Sequence, residues 1–239
     1  MAIVLVHSPF GPASTWAGVA AQLRDEGHDV RTPSFTGLAG GPGPYWAGHV
    51  AAVLECMAGA EEVTIAGHSG AGPLLPGIGA SHGEVRGYVF VDATLPLFGY
   101  RRADSVTTEE RQSRPWREAA ARGEAPNPWH DVRMWQRVGI TDAALAARLA
   151  AETPRIPLAM NEERIAIPDA WPDAPVIYLA FTPNPFYAPA LKEARARGWV
   201  AREMAGAHFH MLVDPAAVAK ALSALGSEML SAPTGTGRT

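Results

Sequence analysis

The sequence predicts a single α/β domain built on a mostly parallel sheet of about six strands with helices on both faces. Three observations predict it. Short apolar, β-branched runs alternate with longer helical stretches along most of the 239 residues. Glycines stand where helices must stop before the next strand, at Gly27 and Gly198. A hydrophobic content of 47% with 18% charged residues is that of a soluble chain long enough to bury one core.

The first strand is expected at 2–6, where Ile3-Val4-Leu5-Val6 follows the N-terminal Met1 directly. A helix over 14–26 stops at Gly27, and a second strand covers 28–33. Helix 44–58 leads to a strand at 62–66, helix 70–80 to a strand at 86–91. Later come strand 175–181, helix 187–197, strand 199–204 and a last helix over 214–229. Asp214-Pro215 opens that helix, with Asp as N-cap and Pro in the first turn. The domain is taken as 1–230, and the Pro/Gly/Thr-rich tail 231–239 as disordered.

Between 97 and 170 the alternation breaks, with helical stretches near 107–123, 129–138 and 141–151. A net charge of −4 and a pI near 6.1 give no reason to expect nucleic acid or an acidic membrane as partner. One cysteine, Cys56, excludes an intrachain disulfide and a cysteine metal cluster. No basic leader and no long apolar span is seen, so a cytoplasmic enzyme is expected. Arginine greatly outnumbers lysine, which occurs only at 192 and 220, as GC-rich bacterial coding would give.

The most informative stretch is Val63-Thr64-Ile65-Ala66-Gly67-His68-Ser69-Gly70-Ala71-Gly72. A strand runs into a sharp turn and then a helix, and the turn needs small neighbours around an exposed serine. It resembles the nucleophile elbow of the α/β-hydrolase superfamily, with Ala71 in place of the last glycine of Gly-x-Ser-x-Gly. The resemblance implies a minimal version of that fold, whose first strand corresponds to the superfamily's third. The insertion at 97–170 follows the superfamily's sixth strand, where a lid usually sits.

It also implies a set of residues. Ser69 is the nucleophile. Gly206-Ala207-His208-Phe209 resembles the family's Gly-x-His-Phe pattern and selects His208 as base, with His210 the nearby alternative. The usual acid position, after strand 175–181, holds Asn184, an amide. Asp92, at the end of strand 86–91, lies where some members relocate the acid; Glu162, Glu163 and Asp173 are the alternatives. The chain order Ser69, Asp92, His208 agrees with the superfamily.

The oxyanion hole would take one N–H from Gly70 and one from His7-Ser8-Pro9-Phe10-Gly11, which resembles His-Gly-x-x-Gly. Pro9 has no N–H, so Phe10 is expected to supply the second donor, or the hole is half built. His68, Pro9, Trp116 and Trp135 are expected to line the substrate, although buried aromatics are most often structural.

The implied activity is hydrolysis of an ester, lactone or thioester with a hydrophobic part, with no cofactor and no metal. Two other readings stay open. One is a cofactor-free lyase or cyclase using the same serine and histidine, which the weak hole at Pro9 favours. The other is a ligand-binding protein without chemistry.

Overall fold

The computed structural model describes residues 1–96 and 117–231, except the side chains of 227, 228, 230 and 231. Its six-stranded sheet is parallel throughout, in the order β2-β1-β3-β4-β5-β6. The strands are β1 (Ala2–Val6), β2 (Asp29–Arg31), β3 (Val63–His68), β4 (Val85–Val91), β5 (Val176–Thr182) and β6 (Val200–Ala205). Central strands β1 and β3 are buried along their whole length, as a sheet covered on both faces requires. β2 is the shortest and lies at an edge.

Alternate side chains of each strand feed two cores. Val4, Val6, Ile65, Phe90 and Tyr178 pack on one face with helices α2 (Tyr45–Cys56) and α3 (Leu75–His82). Ile3, Leu5, Ala66, Val89, Val91 and Phe181 pack on the other with α1 (Ala17–Asp25). Residues near the chain end join that second core, from Val218 to Met229.

Helices of the insertion include α4 (Val132–Arg137), α5 (Ala143–Glu152) and α6 (Leu158–Glu162), and residues 117–121 are also helical. Asp131 caps α4 by accepting from the Arg133 N–H, and Asp142 caps α5 by accepting from Ala144 and Leu145. The expected helix 107–123 falls mostly outside the described residues, as does the tail from 232. The remaining helices are α7 (Ala188–Ala196), the short α8 (His210–Val213) and α9 (Pro215–Ser231).

The helix expected over 70–80 starts differently. Residues Ser69–Leu74 form a 3₁₀ stretch before α3 begins. Pro73 lacks an N–H for the α pattern, and Gly72 packs so tightly that a Cβ would lie 2.0 Å from the Thr94 carbonyl oxygen. Among the described residues no helix is long and apolar enough to cross a membrane.

Candidate active site

Ser69 sits at the carboxyl end of central strand β3, with φ at 58°. That left-handed conformation costs a non-glycine residue about 1–3 kcal/mol and persists only where neighbours over-determine it. The Ser69 carbonyl accepts from the Thr94 N–H at 3.0 Å, fixing the turn to the chain after β4. A Cβ on Gly70 would lie 2.8 Å from the Phe10 ring, so the turn closes against the loop after β1 only with glycine there. Ala71 is fully buried and its methyl is accommodated, so the final glycine of the motif is dispensable.

The loop after β6 delivers His208. Its Nε2 is 3.1 Å from Ser69 Oγ, and its Nδ1 is 2.7 Å from Asp92 Oδ2. His210, the alternative, turns away and packs on Phe181 with ring centroids 5.7 Å apart. With Nδ1–H donating to the carboxylate, Nε2 is left as acceptor for the serine hydroxyl.

Asp92 is fully buried and also adopts a positive φ, 42°. The backbone around it is held firmly. Its N–H donates to the Leu179 carbonyl at 2.7 Å. Tyr178 Oη donates to the Ala93 carbonyl at 2.9 Å and accepts from the Ala93 N–H at 3.1 Å. Burial raises the Tyr178 hydroxyl well above its ordinary pKa, with the charge of Asp92 adding to the effect, so it stays a neutral clamp. Asn184 Nδ2 donates to the same Asp92 oxygen as His208, at 2.6 Å. The residue at the usual acid position therefore holds Asp92 in place. The other candidates are engaged elsewhere: Glu163 accepts from the Tyr45 N–H, Glu162 pairs with Arg117, and Asp173 accepts from Tyr88.

Sequence reasoning missed Tyr187. Its Oη lies 3.0 Å from Ser69 Oγ, and its ring stacks on His208 at 4.8 Å with 18° between planes. Only its distance of three residues from Asn184 could have drawn notice.

Two of the expected substrate contacts lie elsewhere. His68 is fully buried: its Nε2–H donates to the His208 carbonyl at 2.8 Å and its ring packs 4.5 Å from that of His208. Burial, with the nearby His208 adding to it, lowers its pKa well below the ordinary histidine value, so it is neutral. Trp135 is also fully buried; it donates to the Trp129 carbonyl and packs on Phe209. Both shore up the His208 loop from behind, because the apolar core on that side reaches up to it. Pro9 is buried within its loop, and Trp116 lies outside the described residues. A cavity of about 370 Å³ opens beside Asp92 at the end of β5, with Phe181, Pro185, Tyr187 and Leu191 among its walls. Among the described residues no group of three or more His, Cys, Asp or Glu could hold a metal.

The loop after β1 is anchored at both ends. Asn127 Nδ2, from the insertion, donates to the Phe10 carbonyl at 2.8 Å. His7 Nδ1 lies 3.1 Å from the Gly11 carbonyl, and its Nε2 accepts from the Phe35 N–H at 3.2 Å. Burial lowers the His7 pKa from 6.5 to about 4. Above pH 6.5 both folded and unfolded His7 are neutral. As pH falls towards 4 the unfolded chain takes up a proton that the folded one refuses, so stability drops, by up to about 3 kcal/mol. Urea midpoints between pH 8 and 4.5 should therefore fall more steeply for wild type than for His7→Asn. Parallel profiles would mean that His7 carries none of the acid sensitivity.

A sequence profile of the alpha/beta hydrolase family matches residues 3–221. The chain is 32% identical over 104 residues to a carbendazim hydrolyzing esterase of Nocardioides sp. (strain SG-4G). That match spans 40% of this chain and 43% of the relative, less than half of either. Among solved structures, an extracellular alpha/beta-hydrolase from a Paenibacillus species superposes with a TM-score of 0.76 at 20% identity, over 94% of this chain and 98% of that one. A pyrethroid hydrolase from Sphingobium faniae JZ-2 gives 0.71 at 17% identity, over 95% and 97%. These structures share the fold. With the profile covering nearly the whole domain, the chain belongs to the alpha/beta hydrolase family.

Proposed function

We propose that this protein is a serine hydrolase cleaving an ester, lactone or thioester through an acyl-enzyme on Ser69. The observation that carries the reading is the unbroken hydrogen-bonded line from Ser69 Oγ through His208 to the buried Asp92 carboxylate. A serine hydroxyl at its free pKa is a weak nucleophile, and such a line activates it. As Oγ bonds to the substrate carbonyl carbon, its proton passes to His208 Nε2, and the carbonyl π pair moves onto oxygen. Asp92 stabilises the imidazolium without taking its proton. His208 then gives the proton to the leaving group, and water repeats the sequence to release the acid.

Tyr187 holds Oγ beside the imidazole. The substrate is a small molecule with a hydrophobic part. The esterase name of the partial relative agrees with the bond class.

Intact-mass labelling with a fluorophosphonate tests the reading. One adduct is expected on wild type and none on Ser69→Ala. A folded wild type that takes no adduct yet turns substrate over would move the chemistry to proton transfer by the same pair, a reading that Pro9 favours because it supplies no oxyanion donor.

A further inference from the structure

The loop that should face the developing oxyanion has lost a backbone donor at Pro9, and the next N–H is already spent. Phe10 N–H donates to Ser8 Oγ at 3.2 Å, inside the same loop. Ser8 stands where the His-Gly-x-x-Gly pattern has glycine, so this hydroxyl is an addition. It is 3% exposed. It also lies against the residue that follows the nucleophile: a Cβ built on Gly70 would be 3.2 Å from Ser8 Oγ. A hydroxyl has one hydrogen to give. Ser8 accepts from Phe10 but donates to no acceptor among the described residues.

Resting on the hydrolase reading above, we propose that the Ser8 hydroxyl is the second oxyanion donor, replacing the backbone N–H that Pro9 removed. The Phe10 N–H polarises Ser8 Oγ, which makes its O–H a stronger donor, as chained hydrogen bonds do. When Ser69 Oγ adds to the carbonyl, the negative charge on oxygen meets the Gly70 N–H on one side and the Ser8 O–H on the other. No proton is transferred to the oxyanion. The bond from Ser8 strengthens as charge develops and weakens when the carbonyl reforms. The donor is fixed before reaction because Asn127 holds the Phe10 carbonyl and His7 holds the Gly11 carbonyl.

The test compares wild type, Ser8→Ala and Ser8→Cys in turnover of p-nitrophenyl butyrate and in inhibition by an aryl trifluoromethyl ketone, which forms a tetrahedral adduct with the nucleophile. Ser8→Ala is expected to lower kcat by about 10²–10³ with little change in KM, and to weaken the ketone by a similar factor. Ser8→Cys, nearly isosteric and a weak donor, is expected to follow it, which separates lost donation from lost folding. Removing the hydroxyl also frees the Phe10 N–H. If either variant keeps kcat and ketone affinity within about threefold of wild type, Phe10 is the donor and the inference is overturned. A folded wild type with neither turnover nor a fluorophosphonate adduct would instead remove the hydrolase reading, and this inference with it.

Discussion

Ser69→Ala and His208→Ala should each lower kcat by about 10⁶, and the double variant should be no slower than either single one. The reason is that, in the proposed mechanism, the two side chains perform one operation. Without His208 the Ser69 proton has nowhere to go, and without Ser69 the imidazole has no nucleophile to serve. Their 3.1 Å contact makes the coupling direct. What survives would come from binding and the oxyanion donors alone, typically about 10³–10⁴ over water. Steady-state turnover of a p-nitrophenyl ester reads all three variants. Losses that multiply in the double variant would mean that the residues act in separate steps, and the line of hydrogen bonds would then not be the working unit. A loss of less than about a hundredfold in His208→Ala would assign the base elsewhere.

Much of this architecture is legible in the sequence because its signals are local. β-branched runs, Gly stops and the Asp214-Pro215 helix start each act within a few residues, and the six strands lie where these signals put them. The elbow is legible for the same reason, since the small residues around Ser69 answer to a turn at one point in the chain. What escapes the sequence depends on distant partners. Tyr187 reaches Ser69 only because α7 begins beside the end of β5. His68 and Trp135 have the composition of pocket residues, yet the core behind the His208 loop claims them. The 3₁₀ start of α3 follows from the Thr94 carbonyl packed against Gly72, a contact between segments more than twenty residues apart. Ser8 shows both sides of this. Its departure from the glycine pattern is visible, but the spent Phe10 N–H is a matter of geometry.

Asp92→Asn is expected to lower kcat by about 10⁴ while leaving the fold intact. Asparagine tolerates the positive φ at this position, so the backbone cost is small. The loss is chemical. An amide that donates to His208 Nδ1 forces the other tautomer, and Nε2 then carries a hydrogen towards Ser69 when it should accept one. Asn184 offers a sharper test, because its amide touches the same Asp92 oxygen as His208. In Asp92→Asn with Asn184→Asp the carboxylate moves across one hydrogen bond to the position the superfamily usually gives its acid. The exchange should recover about 10–100-fold of the activity lost by Asp92→Asn alone, since charge returns close to the imidazole at a less favourable angle. No recovery would mean that the field of the acid matters less than its placement on the strained turn after β4. Asn184→Asp alone should behave differently again. Two carboxyls would face each other at the 2.6 Å now spanned by a hydrogen bond, and the folded pair would hold a proton that the unfolded chain releases above about pH 4. Its folded pKa is raised, so its stability relative to wild type should be intact in acid and fall as pH rises until that proton is lost. Urea midpoints measured from pH 4.5 to 8 would show that slope. A flat difference across the range would mean that the two side chains had swung apart, and that Asn184 contributes nothing to holding Asp92 against His208.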